Sequence, residues 1–108
     1  MKVKTSANFE REAKHLIKKY RSLAEEVADL ISSLSQNPVI GTPIGQNCYK
    51  IRVAIKSKGV GKSGGGRVIT CVAVLQETVT LLSIYDKSER ANISDKELER
   101  LLKENLLD

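Results

Sequence analysis

Six basic residues and no acidic one lie in the stretch from Lys50 to Arg67: Lys50, Arg52, Lys56, Lys58, Lys62 and Arg67. Elsewhere twelve Lys and Arg face thirteen Asp and Glu, so the net charge of +5 resides in this one segment. A concentrated positive field on an otherwise neutral small chain suits a polyanion, foremost the phosphates of a nucleic acid. The plainer reading is a hairpin of solubilising lysines that also discourages edge pairing. The absence of any balancing acid, and the basic residues on both flanking strands, favour the nucleic acid.

Other chemistries find less support. Gly61-Lys62-Ser63 invites a phosphate-loop reading, but the first glycine of that pattern would fall at Lys56, and the segment joins two strands rather than a strand and a helix. Gly59 to Gly66 therefore reads as a basic hairpin loop whose glycines permit positive φ. His15 is the only histidine, so neither a two-histidine RNase centre nor a Ser/His/Asp set can be built. With one His and no close Cys pair, no metal or other cofactor is expected. Asp86 and Glu89 read as solvated or salt-bridged rather than as metal ligands. Cys48 and Cys71 read as reduced, strand-borne small hydrophobes, with a cross-strand contact between them open. Tyr85 reads as a half-buried strand end or, beside the basic face, as a platform for base stacking.

The elements that must hold these residues follow from periodicity. With 108 residues, 41% of them hydrophobic, one domain with one core is expected over residues 1–108. No apolar run suits a membrane span, and Met1-Lys2-Val3-Lys4 lacks the apolar centre of a secretory signal, so a cytoplasmic location is expected. Residues 2–5 alternate as a short strand. Phe9, Ala13, Leu16, Ile17 and Tyr20 form one helical stripe, and Leu23, Val27, Leu30, Ile31 and Leu34 form another. Ser22 and Glu25 have capping-box spacing, and Asn37-Pro38 ends the second helix. The stretch 38–47 reads as loop. Three strands follow, near Tyr49–Ile55, Arg67–Leu75 and Thr78–Tyr85. Ser94 and Glu97 open a last helix bearing Leu98, Leu101, Leu102 and Leu106.

The order β-α-α-β-β-β-α predicts a small α+β domain. A helical hairpin should cover one face of a mostly antiparallel four-stranded sheet. With Ile51, Val53 and Ile55 toward the helices, Lys50 and Arg52 face away, and Arg67, Tyr85 and Lys87 can lie beside them.

Cys48-Tyr49-Lys50-Ile51-Arg52-Val53-Ala54, Gly61 to Ile69 and Leu81 to Glu89, in that order and at those separations, resemble the RelE/ParE superfamily of toxins from bacterial type II toxin–antitoxin systems. The HigB-like branch of RelE is the nearest in pattern. The resemblance implies a compact α/β fold, a ribosome-dependent endoribonuclease that cuts messenger RNA, and inhibition by a cognate antitoxin. By position it implies catalytic roles for Lys50, Arg52, Arg67 and Lys87. Lys56, Lys58, Lys62 and Tyr85 are expected to contact RNA. The chain departs from the RelE branch at Ile93, which stands about where that branch has a tyrosine; Tyr85 is the substitute aromatic.

The chemistry implied is attack by the RNA's own 2′-hydroxyl on the adjacent phosphate. Arginine offers paired donors to the phosphorane, and a lysine among cations can exchange protons near neutrality. The ribosome would supply substrate alignment. The alternatives are a ParE-like gyrase inhibitor and a non-catalytic nucleic-acid-binding module. With Arg67 outward, the same sheet face should carry Ile69, Cys71 and Leu81. That is more apolar surface than a small monomer exposes, so an acidic antitoxin segment is expected to cover part of it. Homodimerisation, or packing of the last helix over this face, is the plainer alternative. The free chain is expected to be a monomer or weak homodimer.

Overall fold

A computed structural model describes residues 1–59 and 64–106, with the side chain of Leu106 outside the described set. The elements are β1 (Lys2–Thr5), α1 (Ala7–Lys19), α2 (Leu23–Gln36), β2 (Thr42–Gly45), β3 (Cys48–Val53), β4 (Gly66–Ala73), β5 (Thr78–Asp86) and α3 (Asp95–Leu106). They form a five-stranded mixed sheet in the order β1-β5-β4-β3-β2. β1 runs parallel to β5, and the other neighbours are antiparallel.

This corrects the expected four strands. The extra one, β2, reads Thr-Pro-Ile-Gly, a composition that signals loop. It is tolerated because β2 is an edge strand, where proline leaves no ladder bond unmade on its solvent side. Gln46 and Asn47 both take positive φ, 56° and 61°, and turn the chain tightly into β3. Gly41 is required just ahead of β2: its φ is +100°, and a Cβ there would lie 2.4 Å from the Lys50 carbonyl oxygen.

The apolar stripes account for the layers. Phe9, Ala13, Leu16, Leu23, Val27 and Leu34 from α1 and α2 pack on Ile51, Val53, Ile55, Val68, Val79 and Ile84. On the opposite face Leu98 and Leu101 of α3 pack with Cys48, Ile69, Leu82 and Tyr85. The sheet is thus covered on both sides. The expected open apolar face is not present, because α3 lies over it. Leu81 belongs to the α1–α2 side instead. A bulge places Leu81 opposite Thr70 and Ser83 opposite Ile69, leaving Leu82 as the extra residue and reversing the alternation locally. Exposed large apolar side chains occur at Met1, Val39, Val74 and Leu75, the last 93% exposed at the β4–β5 turn.

Two helix starts use serine differently. Ser6 Oγ accepts from Phe9 N at 3.0 Å and caps α1. Ser22 forms no capping box with Glu25. Its hydroxyl donates to Glu26 at 2.8 Å and accepts from Ser57 N at 3.0 Å, while Glu26 accepts from Lys56 N at 3.2 Å. The start of α2 therefore grips the 3₁₀ turn Lys56–Lys58 that opens the basic loop. At α3, Ser94 Oγ does accept from Glu97 N at 3.1 Å. Among the described residues, no helix is long and apolar enough to cross a membrane.

Candidate functional site

Strand alternation and register bring the basic residues together. Arg52 is the Cα partner of Arg67, and Arg67 is in turn the partner of Tyr85. Partners across a sheet share a face, so Arg52, Arg67 and Tyr85 stand abreast on three adjacent strands, on the side of α3. Lys50 lies two residues along from Arg52 on the same face, and its Nζ donates to Asn92 Oδ1 at 3.1 Å. Lys87 follows the end of β5, exposed, with its N–H bonded to Gly65 O at 3.1 Å.

The row differs in accessibility. Arg52 is exposed and Lys50 half-buried. Arg67 is 3% exposed, and its Nη1 donates to Gly66 O at 2.9 Å. Tyr85 is 5% exposed and lies under the Arg90 guanidinium, 5.0 Å from the ring centre. Burial pushes its phenol up, with Arg90 and Arg67 opposing. Among the described residues, the buried hydroxyl has no hydrogen-bond partner. In this arrangement the Tyr85 ring faces Arg90 and α3 rather than an open base-stacking surface. Ile93 itself packs against the α3 cluster.

Lys58, expected from the sequence to contact RNA, is engaged within the fold. Its Nζ lies 2.6 Å from Asp86 Oδ1 and bonds Ser88 Oγ at 3.0 Å and Gly64 O at 3.3 Å. It sits 5.8 Å from the centre of the Tyr20 ring. Asp86 is 1% exposed and also accepts from Tyr20 OH at 2.8 Å and from Ser88 N and Oγ at 2.9 and 2.8 Å. Burial works against its ionisation, but the hydrogen bonds from Lys58, Ser88 and Tyr20 outweigh it and hold the carboxyl well below the usual carboxylate range. Asp86 is thus salt-bridged, as one reading of the sequence had it, but buried rather than solvated. It fastens the basic loop to the end of β5. Glu89 pairs with Lys19 at 2.8 Å on the surface. Lys56 projects into solvent. Lys62, with Gly61 and Ser63 of the Gly-Lys-Ser motif, lies outside the described residues.

A cleft of about 590 Å³ adjoins the row on the α1 side of β5. Arg11, His15 and Arg90 line it, with Glu12 and Glu89. Sequence reasoning missed Arg90, which stacks on Tyr85 and is ion-paired to Glu97. The signal available was its place in the run Lys87-Ser88-Glu89-Arg90, directly after the last strand. Among the described residues no three His, Cys, Asp or Glu side chains gather as a metal site would require.

The family model described as "RelE toxin of RelE / RelB toxin-antitoxin system" matches residues 1–105. The chain belongs to the RelE toxin family. Solved structures share the fold. A free-state Escherichia coli RelE carrying two arginine-to-alanine substitutions superposes with a TM-score of 0.60 at 18% identity, covering 83% of this chain and 86% of that one. The isolated E. coli RelE toxin gives 0.54 at 16% identity, covering 94% and 96%. A search of curated proteins by sequence finds no match. For a RelE-family toxin the basic row on the α3 side of the sheet is the candidate site.

Proposed function

We propose that this RelE-family toxin is a ribosome-dependent endoribonuclease that cuts messenger RNA, on the HigB-like side of the family, and that a cognate antitoxin restrains it. The observation that carries the reading is the register that sets Arg52 beside Arg67, with Lys50 on the same face and Lys87 at its end. Cations fixed on strands can hold a phosphate without reorganising as charge develops on it.

In this reading the message's 2′-hydroxyl attacks the adjacent phosphate. Arg52 and Lys87, both exposed, meet the RNA backbone first. Arg67 supplies two-pronged stabilisation of the pentavalent phosphate. Because Arg67 is 3% exposed on the face that α3 covers, productive binding must uncover it. Lys50 or Lys87 exchanges the protons. The ribosome aligns the message, which accounts for activity without a histidine pair.

The test is translation of a defined message with its ends mapped, with and without ribosomes. Cuts that appear only with ribosomes, and fall about a hundredfold in Arg67→Ala, are expected. Intact messages with inhibited gyrase would replace this reading with the ParE-like one. Full cleavage by a folded Arg67→Ala protein would remove Arg67 from the chemistry.

A further inference from the structure

Cys48 and Cys71 are Cα partners across β3 and β4. The neighbouring pair is joined by Val72 N to Asn47 O at 2.9 Å. That bond makes the cysteine pair a non-hydrogen-bonded one, in which Cα atoms come within about 4.5 Å and side chains converge on one face. Such a separation falls inside the range a disulfide spans. Both thiols are free.

Their surroundings differ. Cys48 is buried in the α3 cluster, with its Sγ 3.5 Å from Gln46 O. Cys71 is half-buried and lines a groove of about 850 Å³ between α3 and the sheet. Thr78, Thr80, Leu102 and Lys103 share that lining, so a small solute can reach Cys71 but not Cys48. The Cys48 sulfur directly across the strand pair lowers the Cys71 thiol, against the effect of burial. The Cys71 sulfur beside it, together with burial, pushes Cys48 up. A solvent-accessible thiol beside a shielded one is the arrangement of an attacking and a resolving cysteine.

We propose that Cys48 and Cys71 are a peroxide-sensitive dithiol whose oxidation joins β3 to β4 and closes a covalent ring around the whole basic segment. The Cys71 thiolate sulfur attacks one oxygen of hydrogen peroxide. The O–O bond breaks, an S–O bond forms, and the departing hydroxide takes up a proton to become water. The Cys48 sulfur then attacks the Cys71 sulfur, the S–O bond breaks, and the leaving hydroxide takes the Cys48 proton. Two thiols and one peroxide give one disulfide and two waters, with the sulfurs oxidised and the peroxide reduced. All six basic residues from Lys50 to Arg67 lie between the joined positions.

The test exposes the purified full-length chain, under native conditions, to hydrogen peroxide and follows intact mass and thermal unfolding. The expected product is a monomer lighter by two hydrogens. Its melting midpoint should be raised by about 10 °C, because the ring constrains the unfolded chain. A thiol reductant should reverse both changes. Cys48→Ala should stop at a sulfenic acid on Cys71 that dimedone traps, and Cys71→Ala should leave Cys48 unmodified. Should either variant fail to fold, the mass and its reversal in the unsubstituted protein decide alone. Oxygen added to Cys71 without a cross-link, a disulfide-linked dimer, or no reaction at doses that oxidise a free thiol would each overturn the proposal.

Discussion

Replacing Lys58 by methionine removes an ammonium and keeps an aliphatic stem over Tyr20. The consequence falls on Asp86, whose side chain is fully buried. In the native protein that carboxylate meets Lys58 at 2.6 Å, together with the neutral donors Tyr20 OH and Ser88 N and Oγ. Removing one partner of a buried ion pair costs about 3–5 kcal/mol. Retention of the neutral donors places this case at the low end, about 3 kcal/mol, which for a domain near this size lowers the melting midpoint by about 12 °C.

The pH dependence has a definite sign. The folded Asp86 titrates below the unfolded carboxyl, near 3.9. Its ionised form therefore stabilises the fold above that value, and the contribution is lost as pH falls through it toward the folded value. The gap between Lys58→Met and the unsubstituted protein should be full at pH 7 and close in strong acid. Adding Asp86→Asn to Lys58→Met should recover part of the loss at pH 7, since the buried charge is gone. Thermal unfolding followed by circular dichroism measures the full gap at pH 7 and its narrowing down to pH 2. A Lys58→Met midpoint within about 2 °C of the unsubstituted protein at pH 7 would refute the role assigned to the pair. Weakened RNA binding at unchanged stability would return Lys58 to the phosphate contacts.

Arg67→Lys should recover only part of the cleavage lost in Arg67→Ala, measured on programmed ribosomes, because one ammonium cannot reproduce a two-pronged contact. Lys56→Ala should weaken binding to ribosomes and flatten its salt dependence by about one phosphate contact while leaving mapped cut positions unchanged. Gly65→Ala should destabilise the protein by about 2–3 kcal/mol in a denaturant titration. The added Cβ would lie 2.3 Å from Val53 O and 3.1 Å from Ile55 N, forcing β3 away from the start of β4.

Periodicity is local, and what depends on it could be read directly from the chain. Ile51 and Val53 alternate with Lys50 and Arg52 within one strand, so their opposite faces follow from the pleat alone. The stripes of α1, α2 and α3 are legible for the same reason. The concentration of charge between Lys50 and Arg67 needs no structure at all.

Pairing and coverage are different in kind, since they join residues far apart in sequence. β2 was hidden because edge strands admit the Pro and Gly that otherwise mark loops. The parallel contact of β1 with β5 joins Lys2 to Thr78, and nothing near either residue announces it. The bulge at Leu82 sends Leu81 to the other face, against simple alternation. Asp86 becomes a buried anchor only when Lys58, Tyr20 and the turn at Ser88 converge on it. The last helix carries a leucine stripe that could meet any apolar surface. Its burial over Ile69, Leu82 and Tyr85 is decided by which sheet face the α1–α2 hairpin leaves free. Composition placed the cations in one segment; only the β3–β4–β5 register placed Arg52, Arg67 and Tyr85 side by side, because a shift of one residue would have turned them into the core.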